Sequence, residues 1–387
     1  VTSELVLDNA RLVLRDRVLD GHVVCRGGEI AEVGEGRTSV PGALDLEGDF
    51  LLPGLVELHT DNLERHVSPR PGVRWPMMPA LIGHDAQLAA AGITTVLDAL
   101  AIVDIDAAAQ HKGETSVRGA MLHEAALTLS AAREDSLLRA DHLLHLRCEV
   151  SYAEVVEVCE QLLGSPLVRL VSVMDHTPGQ RQFTNVQHYY AYYQGRFGYS
   201  AADMEALVER RVADRQRYSD ANRRSVVALC RGRDLPLASH DDATVEHVME
   251  SIDLGMSLAE FPTTLEAAAL AHERGLAVIM GAPNVVRGGS HSGNVSARAL
   301  AAERTLDILS SDYMPVSLLH AAFLLRGDRG LDLPAAVAMV SATPARAIGL
   351  DDRGEIAARL RADLVRARLM GEFPVVREVW RTGRRIM

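Results

Sequence analysis

The alternation of apolar and polar positions divides the chain into three textures. From Ser3 to about Phe50 the period is two: ELVLDNARLVL, then GHVVCRGGEIAEVGEG, then ALDLEG. Asp-Asn, Gly-Gly and Gly-Glu-Gly punctuate these runs, which predicts short strands joined as β-hairpins. From Leu51 apolar runs of strand length alternate with amphipathic segments. The predicted strands are Leu52–Leu58, Ile93–Ala99, Leu143–Cys148, Val168–Met174, Leu235–Ser239, Met256–Phe261, Ala277–Met280 and Leu306–Ser310. Helical patterns such as Asp85–Ala91, Tyr152–Leu163, Asp203–Cys230 and Thr264–Arg274 lie between them. This succession of strand–helix units predicts an α/β fold, a TIM-like (β/α)8 barrel closed by a parallel sheet. After about Leu350 the β texture returns in GEIAARLRADLVRARL and PVVREVWRTGRRI. The two ends are expected to pair as one discontinuous β-sandwich domain, residues 1–50 with 351–387, beside a barrel of residues 51–350. A long insertion, 180–221, carries QHYYAYYQGRFGY and is expected near the barrel mouth, as a lid or an oligomer contact.

Composition narrows the class. The net charge is −12, which argues against a nucleic-acid partner. No segment resembles a membrane span, and VTSELVLDNARLVL lacks the basic and apolar regions of a signal peptide. Cys25, Cys148, Cys159 and Cys230 form no CxxC pair, which favours a reducing cytoplasm and argues against a cysteine metal site. Lys112 is the single lysine, so positive charge is almost all arginine, the side chain whose fork matches phosphate oxygens.

The chemistry gathers at predicted strand ends, where barrel enzymes place it. The first strand, LLPGLVELHTD, ends in His59 and Asp61, which alternation sends to one side. The third ends in Glu149, the fourth in Asp175-His176, the fifth in His240-Asp241-Asp242, the sixth in Glu260, and Asp312 follows the eighth. A single histidine is ordinarily a satisfied structural residue, but this many carboxylates and imidazoles on one face would repel without a cation. Two divalent cations relieve that repulsion. The expected partition is His59, Asp61 and Asp312 on one, His176 and His240 on the other, and Glu149 between them. Glu260 is either a further ligand or an orienting group. Asp98, Asp175, Asp241 and Asp242 are expected to orient ligands or cap helices. Mixed imidazole and carboxylate ligands suit zinc, with manganese or iron as alternatives.

The order of these motifs resembles the amidohydrolase superfamily. More narrowly, HTDNLERH, SPRPGVRWP, HLRCE, MDHTPGQRQF, ASHDDAT, AEFPTT, GAPNVVRGGSHSGN and ILSSDY resemble the PhnM family of the phosphonate (C–P lyase) pathway. The resemblance spans nearly the whole chain. It implies an alpha-D-ribose 1-methylphosphonate 5-triphosphate diphosphatase, which releases pyrophosphate and leaves the 5-phosphate on a small sugar phosphonate. Two departures from the superfamily pattern stand out. His-Thr-Asp replaces the usual His-x-His, and no lysine is placed to bridge the metals. The histidines also fall after strands four and five, one earlier than usual. Either a strand is missing from the count or strand six contributes Glu260 where a histidine is usual.

For the anion, the sequence offers Asn284–Asn294, NVVRGGSHSGN. Gly288 and Gly289 could turn their N–H groups inward, with Arg287, Ser290, His291 and Ser292 as donors. The plain alternative is a turn. Gln180 and Arg181 form a second donor cluster, and Arg65 a possible further contact. Asp312 is the expected general base. Two other classes remain open: hydrolysis of a C–N bond in a cyclic amide or base, and a non-catalytic assembly partner. A homo-oligomer is expected on general grounds.

Overall fold

The computed structural model describes residues 4–70, 72–103, 117–181, 189–190, 194, 200–290, 293–327 and 331–387. Strands β1 to β5 (Glu4–Val13, Val18–Arg26, Glu29–Glu35, Leu44–Asp45, Phe50–Pro53) precede the barrel. The barrel strands are β6 (Leu55–Thr60), β7 (Ile93–Ile102), β8 (Asp141–Glu149), β9 (Val168–Met174), β10 (Leu237–His240), β11 (Leu258–Glu260), β12 (Ala277–Gly281) and β13 (Ile308–Ser310). They pair in chain order, all parallel. β14 (Leu364–Met370), β15 (Phe373–Arg381) and β16 (Arg384–Arg385) follow. These last strands join the first ones in a second sheet, ordered β16-β15-β14-β5-β1-β2-β3 with β4 on β1.

All eight predicted barrel strands are present, and among the described residues no other strand interrupts them. His176 and His240 therefore do follow the fourth and fifth strands, and Glu260 ends the sixth. The barrel closes where Thr60 bridges to Asp312, just past the end of β13. Aliphatic side chains from all eight strands, among them Leu58, Leu97, Leu170 and Ile308, fill the lumen below that level. A larger apolar shell lies between strands and helices, and the terminal sheet has its own core around Leu12, Leu51 and Trp380.

The first predicted strand is in fact two. β5 belongs to the terminal sheet and pairs with β14, whereas β6 belongs to the barrel. The change of sheet falls at Gly54, whose N–H donates to Asp363 O (2.7 Å). A Cβ there would lie 2.3 Å from Thr94 Oγ1 and 2.9 Å from Asp363 Cβ. Gly54→Ala is expected to destabilise the protein by about 1–3 kcal/mol, the usual penalty of overpacking, read as a lower urea midpoint.

Asp141, at the start of β8, ties the C-terminal segment to the barrel's lower end. It receives Arg353 (3.0 Å), Arg361 (2.6 Å) and Arg381 (2.5 Å). Among the described residues, no helix is long and apolar enough to cross a membrane.

Candidate active site

Val56 and Leu58 belong to the lumen cluster, so strict alternation along β6 would turn His59 outward. One extra residue between Glu57 and Thr60 shifts the register with β7 and reverses this. The His59 ring lies inside, 5.1 Å from the ring of His145 and 4.9 Å from that of Phe261. Glu57 spans the closing seam: its carboxylate accepts from His59 N (2.7 Å) and Ser311 N (2.5 Å). Burial pushes the Glu57 carboxyl up to about 8.

Glu260 is fully buried and shared by two histidines. Oε1 lies 2.9 Å from His59 Nδ1, and Oε2 lies 3.1 Å from His240 Nδ1. The two rings stack at 5.9 Å. With Nδ1–H held by a carboxylate, each ring keeps Nε2 available as a ligand, a common arrangement around metal-binding histidines. Glu149 serves His176 in the same way, with Oε2 3.0 Å from its Nδ1. Ser151 Oγ donates to the other oxygen (2.8 Å). Glu149, expected between two cations, is thus engaged on both oxygens as a support for His176.

Asp241, expected to orient a ligand or cap a helix, instead faces two of the imidazoles directly. Its Oδ2 lies 3.5 Å from both His176 Nε2 and His240 Nε2, and it is buried without a hydrogen-bond partner. Those separations are long for hydrogen bonds. They are close to the ~3.3 Å edge of a tetrahedron with metal–ligand distances of about 2.0–2.1 Å. Burial disfavours the protonated His176, yet Asp241 and Glu149 outweigh it and raise the ring's pKa to about 9. This point therefore calls for positive charge.

On the opposite side, at the seam, the backbone brings Asp61 and Asp312 together. Asp312 N donates to His59 O (3.1 Å), and Asp61 N donates to Asp312 O (3.3 Å). Asp312 adopts a left-handed backbone (φ 54°), and Asp61 Oδ1 is buried without a partner. Burial and the neighbouring Asp61 push the Asp312 carboxyl up to about 6. Two orphaned carboxylate oxygens and three imidazoles at one barrel mouth fit the donor set of a hard or borderline divalent cation.

His145 also lies within reach of Glu260 but is a satisfied histidine. Nδ1–H donates to Leu58 O (3.0 Å), and Nε2 accepts from Ser172 Oγ (2.9 Å). Burial lowers its pKa to about 3, in keeping with a neutral ring.

No family model matches the chain. It is 47% identical over 384 residues to the alpha-D-ribose 1-methylphosphonate 5-triphosphate diphosphatase of Escherichia coli strain K12. The match covers 99% of this chain and 100% of that protein. The chain belongs to this diphosphatase family. Solved structures give the fold. One is the N-isopropylammelide isopropylaminohydrolase of Burkholderia multivorans (TM-score 0.63, 17% identity, 99% of this chain and 98% of that one). Another is the N-acetyl-D-glucosamine-6-phosphate deacetylase of Mycobacterium smegmatis with N-acetyl-D-glucosamine-6-phosphate (TM-score 0.63, 15% identity, 99% of each chain). These likenesses show the fold, a barrel with an accessory sheet, that the chain shares with those proteins.

In a diphosphatase the anion-holding residues matter as much as the metal ligands, and here the structure departs from the sequence reading. The glycine segment does not open as a loop after β12; a short helix, Ala282–Arg287, comes first. Gly288 caps it in the left-handed region, and its N–H donates to Val285 O (3.2 Å). Gly289 N–H donates to Asn284 O (2.9 Å). Both amides expected to cradle phosphate therefore close the helix instead. Arg287 is exposed and Ser290 half-buried, while His291 and Ser292 lie outside the described residues. Arg181 is buried against Asp242, Glu250 (3.2 Å) and His240 O (3.4 Å), so it braces the end of β10. Gln180 Oε1 accepts from Arg215 (3.1 Å), and the exposed Arg65 donates to Tyr313 O (2.7 Å).

Asp98 faces away from the lumen into a buried network with the helix Met77–Ala90. His84 Nε2–H donates to Asp98 Oδ1 (2.7 Å), and Asn62 Nδ2 donates to His84 Nδ1 (3.0 Å), which makes His84 neutral. His142 donates to Asp98 Oδ2 (2.7 Å) and faces Asp85 Oδ1 (3.4 Å), so it is an imidazolium. Burial opposes that charge, but Asp98 and Asp85 raise the His142 pKa to about 9. Its stabilising contribution is complete below the unfolded value of 6.5 and is lost as pH rises through about 9. The contribution is on the order of 3 kcal/mol. Urea denaturation between these limits is expected to show wild type losing its advantage over His142→Gln as pH rises. A pH-independent difference between the two proteins would remove the charged His142.

Proposed function

We infer that this chain is a metal-dependent hydrolase of alpha-D-ribose 1-methylphosphonate 5-triphosphate. It cleaves the phosphoric anhydride to the 5-phosphate and pyrophosphate. The observation that carries this reading is the 47% identity over the whole length of the named diphosphatase. The barrel mouth supports it through the three imidazoles and two unpartnered carboxylate oxygens gathered there.

Two divalent cations, zinc in the first instance, with manganese or iron as alternatives, would occupy the mouth. His176 Nε2, His240 Nε2 and Asp241 would hold one; His59 Nε2, Asp61 and Asp312 the other. When bound, they supply Lewis acidity, lowering the pKa of a water and neutralising charge on phosphoryl oxygens. The protein's own part is orientation and proton handling. Glu260 holds two imidazoles by Nδ1 and Glu149 holds the third, so the ring nitrogens need not reorganise during reaction. Asp312 accepts the proton of the attacking water at a carboxylate oxygen and passes it on, in a setting that already tunes it towards neutral pH. Hydrolysis of a C–N bond has only the shared fold in its favour.

The test is metal content measured together with product analysis on the triphosphate. About two metals per chain and one pyrophosphate per substrate are expected, as in two-metal hydrolases. Release of orthophosphate without pyrophosphate would overturn the assigned bond.

A further inference from the structure

Arg147 lies on β8 between His145 and Glu149, each two positions away. Alternation sends all three side chains into the barrel. His145 meets the His59 ring there, and Glu149 holds His176. Among the described residues, the Arg147 side chain makes no hydrogen bond or ion pair, and its Nε is buried without a partner. The contrast with nearby arginines is sharp. Arg181 is held by Asp242 and Glu250, Arg215 by Asp175 (2.9 Å), and Arg223 by Glu250 (2.7 Å).

A guanidinium partly removed from water needs a counter-charge. In the protein alone, that role falls to Asp241 and Asp312, on which the charge of Arg147 acts at longer range. Both carboxylates are the ones assigned to cations above. Once they are so engaged, Arg147 faces a pocket of like sign, and no described residue pairs with it. An anion entering the mouth would do so. Arg181 and the amides of Gly288 and Gly289 do not compete for this role, since Arg181 is braced and the two amides cap a helix.

We propose that Arg147 is the phosphate-holding residue of this mouth and the determinant of its preference for polyanions. Its fork takes non-bridging oxygens of the phosphate chain, two at a time where geometry allows. A neutral amide in the same place would leave Arg147 unpaired beside two cations, so the residue also rejects that class of substrate. The assignment rests on the metal-dependent triphosphate hydrolase reading above.

The experiment compares metal-loaded wild type, Arg147→Gln and Arg147→Lys. Pyrophosphate is the probe in calorimetry, with kcat and KM measured on the triphosphate. Arg147→Gln is expected to keep the wild-type metal content and urea midpoint. It should bind pyrophosphate roughly 10²-fold or more weakly, the usual result of truncating one member of a buried charged pair. Arg147→Lys should recover part of this, because a point charge replaces the fork. Should Arg147→Gln fail to fold, the lysine variant decides: affinity equal to wild type overturns the fork. Pyrophosphate binding by Arg147→Gln within about threefold of wild type, well short of that loss, overturns the proposal. So does a proportionate loss of metal, which would make Arg147 a residue that positions the ligand side chains. Arg147-dependent pyrophosphate binding without triphosphate hydrolysis would instead refute the assigned reaction and leave Arg147 as an anion site.

Discussion

Asp312→Asn is expected to lower turnover by about 10²–10⁴-fold, the usual worth of acid–base help. The substitution preserves shape. Asparagine tolerates the left-handed backbone that Asp312 adopts. The contacts that join the two ends of the barrel at this point use only the backbone of Asp312, its N–H to His59 O and its carbonyl from Thr60 Oγ1 (2.7 Å), so the seam stays closed. What changes is the carboxylate: an amide takes no proton from water and is a weak ligand. A cation held by His176, His240 and Asp241, as proposed, should remain. Metal analysis and steady-state kinetics on the same sample check both halves. Near-normal turnover in a variant that keeps its metal would take Asp312 out of the proton path.

Glu260→Gln is the second large effect. Glu260 accepts from His59 and His240 at once, one on each oxygen. A glutamine offers one acceptor oxygen and one NH2, so one of the two Nδ1–H groups meets a donor. That imidazole then loses its tautomer and its orientation. Metal affinity is expected to fall about 10–100-fold, as with other groups that hold ligand histidines. Titration of the metal-free protein reads this directly, and turnover should recover in part at high metal concentration. Unchanged affinity would mean that packing alone orients the two rings.

Much of the architecture was legible because burial periodicity is local. The eight barrel strands stand where apolar runs of strand length predict them, and the unusual positions of His176 and His240 hold. His59, Asp61, Glu149, His176, His240, Glu260 and Asp312 were all recognisable as strand-end residues. The order in which they occur was enough to suggest the family that the full-length identity establishes.

The roles within that set were less legible. Asp241 looked like one of two interchangeable aspartates; only its Oδ2, 3.5 Å from two imidazole nitrogens, separates it from Asp242, which pairs with Arg181. The direction of His59 depended on a bulge that no period-two pattern reveals. The glycine pair after β12 read as a phosphate loop, because a helix of six residues leaves little periodicity to detect.

The sequence by itself determined the barrel, its terminal sheet and the chemical kinds of side chain at the mouth, since each follows from spacing and residue type within one element. Only the tertiary structure decided which of those side chains meet. Glu260 and His59 are 201 positions apart, and Thr60 and Asp312 are 252 apart, joined only when β13 closes onto β6. Ligand or support, partnered or solitary arginine: these distinctions are made by contacts between distant elements.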